Sequence, residues 1–173
     1  MRLSGWRLSA LAALILATSA QAAEIRLGIT DHDTGIFGNR KEQGFNVNGE
    51  VLFNDLGWIG PAWPVRPHAG VSINSRGDTS LAYGGLTVQR KLGSGFFLEL
   101  GAGAAVHTGE LKTSDPDRKE LGSRVLIHAS ASAGIDISDH ASVSVYLAHA
   151  SNAGLADRNE GINMVGVRVG YRF

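Results

Sequence analysis

The last ten residues of the chain alternate without a break. Val165, Val167, Val169, Tyr171 and Phe173 fall on one side, and Met164, Gly166, Arg168, Gly170 and Arg172 on the other. A two-residue repeat is the signature of a β-strand, whose side chains point to opposite faces in turn. One face of this strand is apolar and aromatic, while the other carries two guanidinium groups. The same parity places Arg26, Asn46, Asn48, Glu50, Glu99, His128 and Asp136 opposite their apolar neighbours. Charges of this number are costly in a dry soluble core unless they are paired. They can satisfy one another inside a narrow closed barrel whose apolar face is turned out to lipid. Closure also pairs every backbone group, as a membrane-spanning sheet requires. The pattern predicts an all-β fold, an eight-stranded antiparallel transmembrane β-barrel.

Eight segments carry the alternation. They run from about 24 to 31, 44 to 53, 65 to 74, 79 to 91, 96 to 107, 124 to 137, 141 to 150 and 162 to 173. Strands of about ten residues suit a tilted membrane crossing. The connections 90–95 and 138–140 are short, whereas 32–43, 108–123 and 151–161 are longer and more charged, as outer loops tend to be. The segment 54–64, with Trp58, Pro61, Trp63 and Pro64, is long for a turn and reads as an interfacial aromatic anchor. About eight strands leave an interior filled by side chains, which argues against a pore.

The N-terminus supports export. Arg2 and Arg7 precede an apolar run from Leu8 to Thr18, and Ser19-Ala20-Gln21-Ala22 supplies small residues for cleavage. The run is too short to span a bilayer and reads as a cleaved signal peptide over residues 1–22, followed by one barrel domain over 23–173. The chain has no cysteine, so disulfides, thiolate metal sites and a cysteine nucleophile are excluded. Its formal net charge is zero, which gives no pull toward nucleic acid. The histidines 32, 68, 107, 128 and 140 are dispersed without metal-ligand spacing, and no metal or cofactor is expected. His128 reads as a member of an interior network, and His32 and His107 as loop or rim residues. Asp115, Asp117, Lys112, Arg118 and Lys119 read as a solvated loop whose cations, like Arg40 and Lys41, could also meet lipid phosphates.

Chemistry is concentrated near the last hairpin. Val143, Val145 and Leu147 face lipid, and His149 and Ser151 continue that face. An imidazole beside a hydroxyl is the pairing that activates a serine nucleophile. On the returning strand the lipid face runs through Val167 and Val165 to Asn163, which can approach His149 across the hairpin. Backbone N–H groups of Ala153 and Gly154 are candidates for stabilising an oxyanion, with Asn152 and Asn159 as added donors or positioning groups. Gly154 and Gly161 read equally well as turn residues that need positive φ.

His149, Ser151-Asn152-Ala153-Gly154-Leu155, Asn159 and Gly161-Ile162 together resemble the C-terminal signature of the PagL family, the lipid A 3-O-deacylases of Gram-negative outer membranes. The resemblance is strongest over residues 145–173. It implies an eight-stranded barrel that removes the 3-O-linked 3-hydroxyacyl chain of lipid A in the outer leaflet, without a metal. It implies Ser151 as nucleophile and His149 as general base. The family's acidic residue falls where this chain has Asn163. An amide can orient the ring but cannot offset the imidazolium charge. Glu160 is therefore the alternative third member, and Asp157 a weaker one. The expected partners are lipopolysaccharide and the outer membrane, and a homodimer is compatible with the sequence. The competing reading is a non-catalytic structural or adhesive barrel with the same strands.

Overall fold

The computed structural model describes residues 22–58 and 63–173. The expected signal peptide lies almost wholly outside them. Every element described is a strand: β1 (Ala22–His32), β2 (Phe45–Phe53), β3 (Gly57–Trp58), β4 (Pro64–Asn74), β5 (Leu81–Gly93), β6 (Phe96–His107), β7 (Val125–Asp136), β8 (Ala141–Ser151) and β9 (Ile162–Arg172). Neighbouring long strands pair antiparallel. The ring closes at two places, where β1 pairs with β9 and β2 pairs with β4. The result is a closed barrel of eight long strands. The two-residue β3 is a short spur on β4, with Gly57 opposite Val65 and Trp58 opposite Pro64. Of the expected aromatic anchor, Pro61 falls outside the described residues. Trp63 is half-buried, with the Arg90 guanidinium 5.7 Å from its ring.

The barrel is inverted relative to a soluble protein. Leu27, Ile29, Val47, Ile73, Leu100, Val145, Val167 and Val169 are each more than half exposed. Much of the interior is ionic instead, beside a buried apolar cluster that includes Leu81, Leu126, Tyr146, Ile162 and Met164. Arg26 forks onto Glu99 at 2.5 and 2.8 Å and also holds Glu24 at 2.7 Å. Arg168 donates to Glu50 at 2.9 Å and to Ser132 at 3.0 Å, and lies 3.8 Å over the Tyr146 ring. His68 bonds the other oxygen of Glu50 at 3.1 Å. Such pairs offset the cost of taking each ion from water only because several partners converge on each one. His128 lies in the interior, as its parity predicts. There it stacks on Tyr83 at 4.3 Å, and its ring nitrogens have no hydrogen-bond partner among the described residues, so it packs beside the polar network instead of joining it as expected. At the end with short turns, Asp136 meets Lys91 and Arg172.

The long connections 33–44, 108–124 and 152–161 gather at the other end, together with the tight turn 75–80. They are packed, not merely solvated. His32, expected at a wet rim, is 1% exposed and bonds Glu42 at 3.0 Å. Lys119, expected in a solvated loop, is 1% exposed, 3.1 Å from Asp33 and bonded to the Asn39 carbonyl. Arg118 reaches Asp78 at 2.7 Å and Glu42 at 3.4 Å. Burial alone would raise the Glu42 carboxyl. The bonds from His32, the Lys119 backbone and Thr79 outweigh it and hold the group at about 2. Two sequence expectations are thus corrected for one reason. A charged residue in a loop reads as solvated until another loop covers it. His107 stays at the rim as expected, half-buried and 2.6 Å from the Ser123 carbonyl.

Candidate active site

The β8–β9 register sets the site. His149 lies directly opposite Asn163, and Ala150 opposite Ile162. Side chains of directly opposed residues stand about 5 Å apart at Cβ, close enough to bond. Along β8 the inward residues Ser142, Ser144, Tyr146, Ala148 and Ala150 are buried. Val143 and Val145 face out, and His149 and Ser151 end that outward face half-buried. The imidazole and hydroxyl therefore stand on the wall of the barrel, at the loop end, above an apolar strip.

The contacts are short. His149 Nε2 lies 2.9 Å from Ser151 Oγ, and His149 Nδ1 lies 2.8 Å from Asn163 Oδ1. The way round of the amide is defined by its far end, where Asn163 Nδ2 donates to the Phe37 carbonyl at 3.2 Å. Only an amide nitrogen can face a carbonyl there, so Oδ1 faces the ring. Asn163 Oδ1 can only accept, so His149 Nδ1 carries the proton. Nε2 is left with its lone pair toward the serine hydroxyl, the tautomer a general base needs. Asn163 itself is fully buried. The Phe37 ring meets the imidazole edge-on, with centroids 6.0 Å apart and planes at 86°.

Glu160 points elsewhere. It holds Lys41 at 2.7 Å and accepts from the Glu120 N–H at 2.7 Å. Its partial burial would raise the carboxyl, but those bonds keep it below the usual carboxylate range. Asp157 is exposed in the 152–161 loop.

Beyond the serine the chain turns sharply. Ala153 and Gly154 both have positive φ, 54° and 77°. The Gly154 N–H is used by Asn152 Oδ1 at 2.9 Å, and the Asn152 N–H by Asn159 Oδ1 at 2.9 Å. Asn152 Nδ2 donates to the carbonyls of Leu121 and Arg158. Asn152 and Asn159 thus brace the loop in this structure, and the Gly154 N–H is occupied. The Ala153 N–H has no partner among the described residues. Gly161 has φ 55°, and a Cβ there would lie 3.0 Å from His149 Cε1 and 3.2 Å from Ser151 Cβ. It is needed both for its conformation and for the space it leaves the pair. Among the described residues no cluster of His, Cys, Asp and Glu could hold a metal ion. Phe37 is the site neighbour that sequence reading missed. It lies 126 positions from Asn163, and no local pattern links the two.

Comparison with known proteins supplies the family. The family profile described as lipid A 3-O-deacylase (PagL) matches residues 41–172. The chain belongs to the PagL family. Like that family it is a carboxylic ester hydrolase of the outer membrane, acting on lipid A. No curated protein matches the sequence. Among solved structures, the crystal structure of the outer membrane enzyme PagL superposes with a TM-score of 0.67 at 19% identity, covering 87% of this chain and 100% of that one. Neisserial surface protein A gives 0.55 at 11% identity, over 87% and 96% of the two chains. A de novo designed transmembrane β-barrel gives 0.54 at 13% identity, over 88% and 98%. At such identities these likenesses show the fold alone, whereas the profile match extends through Ser151, His149 and Asn163.

Proposed function

We propose that this PagL-family barrel removes the 3-O-linked 3-hydroxyacyl chain of lipid A in the outer leaflet through a Ser-His-Asn acyl-enzyme mechanism. The observation that carries the reading is the continuous pair of contacts Asn163–His149–Ser151, at 2.8 and 2.9 Å, on the lipid-facing side of the barrel. Ser151 Oγ attacks the ester carbonyl carbon while His149 Nε2 takes its proton. The Ala153 N–H, just after the nucleophile and unpartnered among the described residues, is the candidate donor to the oxyanion. The tetrahedral species collapses as the imidazolium returns the proton to the sugar oxygen, leaving a seryl ester and a free 3-hydroxyl. Water, deprotonated by the same imidazole, then attacks the seryl ester, and as the acyl–Oγ bond breaks the imidazolium returns the proton to Ser151, releasing the 3-hydroxy fatty acid.

Asn163 orients the ring and keeps the proton on Nδ1, but brings no negative charge to the imidazolium. The nearest surfaces below the pair suit an acyl chain. The outward residues of β7 include Ala129, opposite His149, then Ala131 and Ala133. Ala131 and Ala133, with Leu98, Leu100, Val145 and Leu147, line a shallow apolar groove along the wall.

The test is mass spectrometry of lipid A from a host without such activity, expressing the native chain. The expected result is loss of one 3-hydroxyacyl group, abolished by Ser151→Ala and by His149→Ala. Turnover that survives Ser151→Ala would refute the acyl-enzyme route.

A further inference from the structure

The amide at position 163 does two things that a carboxylate could not do together. It accepts from the imidazole through Oδ1, and it donates through Nδ2 to the backbone carbonyl of Phe37 in the β1–β2 loop. We propose that this loop, residues 33–44, is a working part of the hydrolytic site, and that Asn163 is the positioning residue that ties it there. The inference rests on the Ser-His reading above and extends it to a segment far away in sequence.

The loop is held at two levels. Its flank is fastened by buried ions. Asp33 accepts the N–H groups of Lys41 at 2.7 Å and Glu42 at 3.2 Å, and Lys119 bridges Asp33 and the Asn39 carbonyl. Lys41 also crosses to Glu160 in the β8–β9 loop at 2.7 Å. Among the described residues the loop's hydrogen bonds to the site run to residue 163, through the side-chain bond to Phe37 at the tip and, near the start of the loop, a backbone bond from Thr34 N–H to the Asn163 carbonyl at 3.1 Å. The tip carries Ile36 and Phe37, 53% and 59% exposed, with the Phe37 ring edge-on to the imidazole. An acyl ester reaching Ser151 meets the Phe37 ring as one wall of its approach. A carboxylate at 163 has acceptors on both atoms. With one oxygen on His149 Nδ1, the other would face the Phe37 carbonyl oxygen with no proton between them, and the tip would lose its side-chain tie to the site while the Thr34 bond remains. The departure from an acidic third member is then a trade, in which charge on the imidazolium is given up for a fixed substrate wall.

Asn163→Asp separates the two roles, because it keeps an acceptor for the ring, now a charged one, and removes the donor to Phe37. Folding of the variant barrel is verified by its heat-dependent gel mobility. In mixed micelles containing lipid A, the apparent KM is expected to rise roughly fivefold, the worth of one ordinary hydrogen bond, while kcat reports separately on the charge added beside the imidazolium. Amide exchange over residues 34–41 is expected to quicken by a similar factor, while exchange in the strands stays unchanged. Unchanged exchange in the tip together with an unchanged KM would overturn the proposal. Failure of the unaltered protein to cleave lipid A would defeat the Ser-His reading instead, and the exchange comparison would still decide whether the amide holds the loop. If the Asn163→Asp barrel does not fold, Lys41→Met loosens the same loop from Glu160. Faster exchange over 34–41 with a raised KM then supports the proposal, and no change in either overturns it.

Discussion

Replacing Gly161 with alanine puts a single methyl group into the angle between the imidazole and the hydroxyl. The new Cβ would lie 3.0 Å from His149 Cε1, 3.2 Å from Ser151 Cβ and 3.3 Å from the Ala150 carbonyl oxygen. The carbonyl belongs to a paired strand and does not yield, so the ring moves by a few tenths of an ångström. Two costs follow. Holding a non-glycine residue at φ 55° costs about 1–2 kcal/mol of stability. Shifting the ring lengthens its 2.9 Å contact with Ser151 and misaligns the proton transfer. Since a misplacement of 1 Å can cost about 100-fold, a shift of this size is expected to lower kcat by about tenfold, or about 1.4 kcal/mol of transition-state stabilisation. The control is Gly77→Ala in the turn between β4 and β5. Gly77 has φ 81° and open space around it, so the backbone strain is similar and nothing near the site is displaced. Both variants are scored for unfolding temperature by heat-dependent gel mobility and for release of 3-hydroxy fatty acid from lipid A. Equal loss of stability with a tenfold difference in kcat is expected. If Gly161→Ala turns over as fast as Gly77→Ala, the glycine is a turn residue only and the steric reasoning fails.

The loop cluster around Glu42 should respond to acid. Its carboxyl is held at about 2, below its ordinary 4.5, so the charged form stabilises the folded loops fully above about pH 4.5 and that contribution is lost as pH falls toward 2. Protease resistance of the 33–44 and 108–124 loops should decline across that window, and Glu42→Gln should be susceptible at every pH within it. Inside the barrel, Arg168→Met leaves Glu50 without its closest guanidinium and should destabilise the fold by about 3–5 kcal/mol, read as a lower unfolding temperature in detergent.

The alternation in β9, with Val165 to Tyr171 on one face and Arg168 and Arg172 on the other, contains most of the barrel. It predicts strand, outward face and ionic interior together, because the two-residue period is a local property of extended backbone. The strand ends shift by only a residue or two. The 79–91 segment begins its strand at Leu81, two residues late, since Thr79 is drawn into the loop cluster to donate to Glu42. Within the site, His149 and Ser151 were legible as i and i+2 on one face, and Asn163 as their neighbour across a hairpin, because these relations are short in sequence.

What the chain could not reveal by itself are the contacts made by loops that meet only after the barrel closes. Lys119 and His32 read as solvated because nothing adjacent to them covers them. They are buried because residues 33–44, 75–80 and 108–124 converge on one end of the barrel. The Phe37 carbonyl likewise reaches Asn163 only through the β1–β9 pairing that closes the ring. Periodicity and hairpin register are written in neighbouring residues, so the sequence alone determined the wall and the His-Ser pair upon it. Which loop covers that pair, and which end of the amide faces it, depend on distant segments that meet when the ring closes, so no stretch of neighbouring residues encodes them.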